Sequence, residues 1–178
     1  MPLPQGSRAY IDTMVWIYHL VNPSHPLEKH CQRLLNDLVR GRVKGIASSF
    51  VVHEVVDVTR RLLAEKRNRE APQADLEAME ERVEREMARL GVDIHDADVL
   101  ALNQTGQSVV FDRAADISRA SGASQGRHDR RWRTVGGADS IHVALAERSG
   151  ASHYATCDEG FRKLVANVQP TILEDSYP

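Results

Sequence analysis

The sequence holds only two cysteines, Cys31 and Cys157, which stand far apart and form no CxxC pair. That speaks against a structural zinc site and suits a reducing compartment. There is no HExxH pair, so zinc-protease chemistry lacks its ligands. There is no GxxxxGK[ST] loop, so nothing points to ATP or GTP hydrolysis. No apolar run approaches the ~20 residues of a membrane span. The opening MPLPQGSRAYID lacks the charged-then-apolar form of a signal peptide, so a cytoplasmic protein with no membrane partner is expected. A strong net charge is missing too. Twenty-three Lys and Arg against 25 Asp and Glu leave −2, so a nucleic-acid partner would need a local basic patch. Internal repeats and low-complexity linkers are absent, and 178 residues are expected to form one domain, 1–178, with a real core.

What is present reads as alternating strands and helices. Residues 8–11 form a short apolar run ending in Asp12, expected to be a buried first strand. TMVWIYHL should turn into a helix, which the prolines of VNPSHP break. Leu27, Cys31, Leu34, Leu35 and Leu38 recur at helical spacing up to Gly41, and residues 43–47 are a strand candidate. Ser48 and Ser49 are positioned to cap a helix over 50–66. After the charged break KRNREAPQ, Leu76, Met79, Val83, Met87 and Leu90 mark a strongly periodic helix. VDIH is a brief strand candidate, and DADVLALNQTG and SVVFDRAADISRAS look helical. Residues 122–135 are polar, basic and loop-like. A helix, the strand HYATC and a last strand candidate TIL complete the chain. This alternation predicts α/β architecture with a parallel sheet.

Four acids take matching places in that layout. Asp12 ends a strand, Glu54 and Asp139 open helices, and Asp158 follows a strand. In a parallel sheet, strand ends and helix starts border the crevice where ligands bind. Carboxylates gathered there repel one another unless a cation neutralises them. Hard oxygen donors suit Mg2+ or Mn2+. Such ions lower the pKa of a coordinated water and stabilise in-line displacement at a phosphodiester. Taken singly, each acid is also explained by the helix macrodipole, which favours carboxylates in a first turn. Thr13 and Thr156 adjoin the acids, and their hydroxyls are placed to orient a carboxylate or a coordinated water; both also suit a strand end.

The segment RHDRRWR sets Arg127, Arg130, Arg131 and Arg133 around Trp132. Arginines pair with phosphates and an indole stacks on an unstacked base, so this is the candidate RNA-binding loop. A GxSxG match at 122–126 centres on Ser124, but a nucleophile elbow needs a strand before it, and the preceding residues read as helix. His142 shares a helical face with Ala138 and Leu145 and reads as a packed core histidine, while His53 points away from Glu54. Cys157, beside Asp158, is either a soft ligand or buried filler.

YIDT, SSFVVHEVVDV, ADSIHVALA and ATCDEGF, in that order, resemble the successive signatures of the PIN domain. That family comprises metal-dependent ribonucleases, including VapC-type toxins of toxin–antitoxin pairs. The resemblance implies a three-layer α/β/α sandwich with a central, mainly parallel sheet of about four or five strands. It implies an Mg2+- or Mn2+-dependent endoribonuclease in which Asp12, Glu54, Asp139 and Asp158 are catalytic metal ligands and Thr156 is the accompanying hydroxyl residue. It further implies an RNA substrate, a homodimer and an antitoxin partner. The chain is longer than the compact toxins, chiefly in the 66–90 helix and the 122–135 loop. The apolar stripe of that helix is either ordinary core or a docking face. A housekeeping RNA-processing nuclease would keep the same acids. A catalytically silent binding module, or a phosphatase acting on small phosphoesters, would share the layout.

Overall fold

The computed structural model describes residues 2–68, 70–95, 108–123, 135 and 137–173. Among them are five strands: β1 (Arg8–Ile11), β2 (Lys44–Ala47), β3 (Asp93–Ile94), β4 (His153–Thr156) and β5 (Gln169–Ile172). They form one sheet in the order β3-β2-β1-β4-β5, with every neighbouring pair parallel. The six described helices are α1 (Thr13–Trp16), α2 (Glu28–Val39), α3 (Ser49–Arg67), α4 (Gln73–Arg89), α5 (Val109–Ala123) and α6 (Gly137–Arg148). Parallel pairing requires crossovers, and crossovers are right-handed. The chain steps outward from β1 to β3, then returns to β4 on the other side. That reversal puts α1–α4 on one face and α5–α6 on the other, the expected three-layer sandwich.

The central strands are apolar because both their faces are covered. Ala9, Tyr10, Ile11, Ile46, Ala47, Tyr154 and Ala155 are all fully buried. Register places Tyr10 between Ile46 and Tyr154. The ladder continues one residue past β1, where the Asp12 N–H donates to the Ala155 carbonyl at 3.0 Å. The backbone of the first acid is therefore fixed by the sheet itself.

Several boundaries differ from expectation. The helix expected over TMVWIYHL divides into α1 and a wider π-helical turn, Ile17–Val21, which delivers the chain to Pro23 and Pro26. The helix expected from residue 76 begins three residues earlier, after Pro72. Its stripe also divides: Val83, Met87 and Leu90 are core, whereas Leu76 and Met79 are only half-buried. DADVLALNQTG, Ser124 and the RHDRRWR segment lie outside the described residues. The two cysteines, distant in sequence, meet in the core with their sulfurs 3.4 Å apart, and both are free thiols. No described helix is long and apolar enough to cross a membrane.

Two local contacts tie the layers together. Gly45 lets α2 and the strand approach closely, since a Cβ there would lie 2.8 Å from Val92 Cγ2 and 3.2 Å from Leu38 Cδ2. Gly45→Ala should lower stability by about 1–3 kcal/mol through overpacking, and an unchanged denaturant midpoint would contradict this. Glu86 clamps α4 to the body, accepting from Arg89 at 2.6 and 2.8 Å and meeting His19 Nε2 at 3.1 Å. The Arg89 guanidinium, with a smaller share from His19, holds the Glu86 carboxyl at about 2. A depressed carboxyl pKa contributes stability above its unfolded value, lost as pH falls through the folded one. Unfolding curves should therefore show the advantage of wild type over Glu86→Gln shrinking between about pH 4.5 and 2. A constant difference across that window would count against the clamp.

Candidate active site

Strand order reverses between β1 and β4, and in an open α/β sheet the ligand crevice lies outside the carboxyl ends of the strands at such a switch point. Asp12 directly follows β1, and Thr156 ends β4 two residues before Asp158. A cavity of about 250 Å3 opens there. Asp12, Glu54, Asp57, Asp139 and Asp158 line it, with Thr13, Arg61 and an apolar wall of Met14, Ile17, Val58 and Phe161. The four acids singled out by sequence are thus brought to one place. A larger cavity of about 540 Å3 lies between α3 and α4, but its lining is apolar and basic, with Asp75 already paired to Arg67 at 2.7 Å. The smaller cavity is the one with reactive groups.

Asp12, Glu54 and Asp158 are held by identifiable donors. Asp12 caps α1, where its Oδ1 accepts from the Thr13 N–H at 2.8 Å and from the Tyr154 hydroxyl at 2.9 Å. Its Oδ2 accepts from Thr156 Oγ1 at 2.6 Å. Burial pushes the Asp12 carboxyl up, and the Asp139 charge adds to the rise against the opposing effects of His142, Thr156 and Tyr154. Glu54, on α3, accepts from Thr13 Oγ1 at 2.7 Å and meets His142 Nε2 at 2.8 Å, both at Oε2. Burial alone would raise Glu54, but the His142 and Thr13 bonds and the Arg61 charge outweigh it and hold the carboxyl low. Asp158 caps the 3-10 turn Glu159–Lys163, accepting from the Gly160 N–H at 2.7 Å. Asp139 stands in the first turn of α6, facing the same cavity.

Thr156 links two of the acids. Its hydroxyl donates to Asp12 and accepts the Asp158 N–H at 3.0 Å, so it orients carboxylates. Thr13 does the same for Glu54. Ser48 departs from expectation: it holds the N-cap position of α3, but its side chain makes no cap bond and meets the Tyr10 hydroxyl at 2.7 Å. His142 is buried, as expected, yet it reaches Glu54, which its packing role did not foretell. Its spacing from Asp139, three residues along one helix, was the available signal. Asp57 and Arg61 were also missed; they lie one and two turns beyond Glu54 on α3. His53 is exposed, and Cys157 packs on Cys31 without lining the cavity. The residues before Ser124 are helix α5, so the nucleophile elbow lacks its strand. Arg127, Arg130, Arg131, Trp132 and Arg133 lie outside the described residues.

The donor set can be compared with the cation it would hold. Among the described residues, no group of three or more His, Cys, Asp or Glu side chains is placed to hold a metal ion. The donors are nevertheless carboxylate oxygens, and a buried acid raised by burial and by a second acid is what a cation relieves. Mg2+ keeps several waters and takes only one or two carboxylates directly, so it needs no full cage of protein ligands. The chemistry of the residues fits a hard divalent ion.

Residues 9–167 match the PIN domain. The chain belongs to the PIN-domain family. PIN domains are generally nucleases, hydrolases that use divalent ions. No curated protein matches the chain significantly.

The Thr156 bridge gives this site a stability test. Thr156→Val keeps the shape but strands the Asp158 N–H and removes a donor from Asp12, which should cost about 1–3 kcal/mol. Thr156→Ser should restore most of it. Equal melting temperatures for the Val variant and wild type would show that the bridge contributes nothing.

Proposed function

We propose that this PIN domain is an Mg2+- or Mn2+-dependent endoribonuclease. The reading rests on one observation: Asp12, Glu54, Asp139 and Asp158, from four separate segments, line a single cavity at the switch point of the sheet. These four would hold the ion or ions. When bound, a divalent ion would supply an activated water and offset charge on the phosphate during in-line displacement. The chain's own groups do the rest. Thr156 fixes Asp12 and Asp158 relative to each other, and Thr13 fixes Glu54. Arg61, paired with Asp57 at 3.2 Å, sets a cation within the lining that a phosphate would meet. The arginines of 127–133 and Trp132 would position the RNA backbone and stack on a base. Since the attacker is water and not the ribose 2′-hydroxyl, products should carry 5′-phosphate and 3′-hydroxyl ends.

A toxin role within a VapBC-type pair is the narrower form of this proposal, with a homodimer as the working unit. The groove between α3 and α4 supports it. Leu20, Val21, Leu62, Leu63 and Met79 floor the groove, and Lys66, Arg67 and Arg82 rim it. Such a surface suits an acidic amphipathic helix of an antitoxin. A housekeeping nuclease would use the same acids without that partner.

Cleavage of a mixed single-stranded RNA pool with Mg2+ or Mn2+, against EDTA and against Asp12→Asn/Asp139→Asn, tests the central reading. Activity should vanish in EDTA. In the double variant it should fall by more than the roughly 10–100-fold expected for loss of a supporting residue. A 2′,3′-cyclic phosphate end would sink the water mechanism. RNA binding without turnover in either metal would favour a silent binding module, and turnover of a small phosphoester alone would favour a phosphatase.

A further inference from the structure

His142 sits 1 % exposed on α6, three residues after Asp139. Its Nε2 lies 2.8 Å from Glu54 Oε2, and its Nδ1 lies 3.0 Å from the Tyr10 hydroxyl. Tyr10 in turn meets Ser48 Oγ at 2.7 Å. We propose that His142 is a positioning residue that, backed by Tyr10 and Ser48, fixes which oxygen of Glu54 is offered to a cation. The inference rests on the metal-site reading above and adds a residue outside the four acids.

The argument is one of donors and acceptors. An ionised carboxylate only accepts, so Nε2 must carry the hydrogen. Nδ1 accepts from the Tyr10 hydroxyl in a neutral ring and donates to it in a charged one, and Tyr10 pairs in turn with Ser48. Either way the Nε2–H is aimed at Glu54. Thr13 Oγ1 donates to the same Oε2. With two donors on Oε2, that oxygen is committed to the protein, and Oε1 is the oxygen left for the cavity. The ring cannot turn away easily. Phe50 packs against it at 4.9 Å between ring centroids, and Tyr10 at 6.0 Å. Tyr10 is itself stacked on Tyr154 at 5.7 Å, and Tyr154 on Phe161 at 4.8 Å.

The test is Mn2+ affinity of the full chain, read by electron paramagnetic resonance of free Mn2+, with melting in EDTA recorded alongside. Gln places its amide nitrogen near the Nε2 position, and Asn places its own near Nδ1. His142→Gln should keep Mn2+ affinity within a few-fold, and His142→Asn should lose roughly 10–100-fold, the usual cost of removing a group that orients a ligand. Both variants should melt earlier than wild type, so stability alone cannot separate them. Equal Mn2+ affinity in the two variants, kept or lost, would overturn the proposal. Tyr10→Phe keeps the stack but leaves Nδ1 and Ser48 without their partner, so it should weaken Mn2+ binding and also lower the melting temperature. Nitrogen chemical shifts of the wild-type histidine give a reading that needs no variant: a proton on Nδ1 with bare Nε2 would overturn the relay. A wild type that binds no Mn2+ would instead remove the metal-site reading, and this inference with it.

Discussion

Carboxylates gathered around one cavity need donors, and much of this structure is arranged to supply them. Asp12 takes three, from the Thr13 backbone, Tyr154 and Thr156. Glu54 takes two on one oxygen, and Asp158 takes a backbone N–H. These donors come from α1, β4, α6 and the turn after β4, so none of these elements can shift without unsatisfying an acid. The stack Tyr10–Tyr154–Phe161 runs beneath the cavity, and both tyrosines turn their hydroxyls into the network. Core and site share residues here, so the apolar packing that stabilises the sheet also fixes the acids.

Much of the fold was readable because parallel strands buried on both faces leave continuous apolar runs. RAYI, the run through Ile46 and HYAT were all recognised this way, and the helices by their stripes. What escaped was governed by position in the sheet. β5 starts at Gln169, two residues earlier than TIL suggests, because Pro170 is tolerated at an edge where its missing N–H is not needed. β3 pairs through only two residues at the opposite edge, and both are exposed. The division of TMVWIYHL into α1 and a π-helical turn left no mark in the apolar pattern, since both halves bury the same kind of side chain.

The site divides along similar lines. Asp12, Glu54, Asp139 and Asp158 were legible because each sits at a strand end or helix start, the places that border a switch-point crevice. The side-chain contacts that support Asp12 and Glu54 join residues 41 to 144 positions apart, and no local pattern announces a pairing at that range. Ser48 shows the limit well. A serine before a helix predicts a cap, but the Ser48 hydroxyl instead meets the buried Tyr10 hydroxyl. His142 was read correctly as buried, yet burial hid its contact with Glu54, because a histidine in an apolar stripe looks the same whether or not a carboxylate lies beyond it.

The central claim is that the four acids form one hard-cation site. The most direct measurement is the anomalous scattering of crystals grown with Mn2+, collected near the manganese edge. The account predicts one or two strong peaks inside the cavity, within coordination distance of oxygens from Asp12, Asp139 or Asp158, and of Glu54 Oε1 where Glu54 ligates. Peaks confined to the protein surface, or an occupied cavity in which Glu54 and Asp12 turn away from the ion, would contradict it.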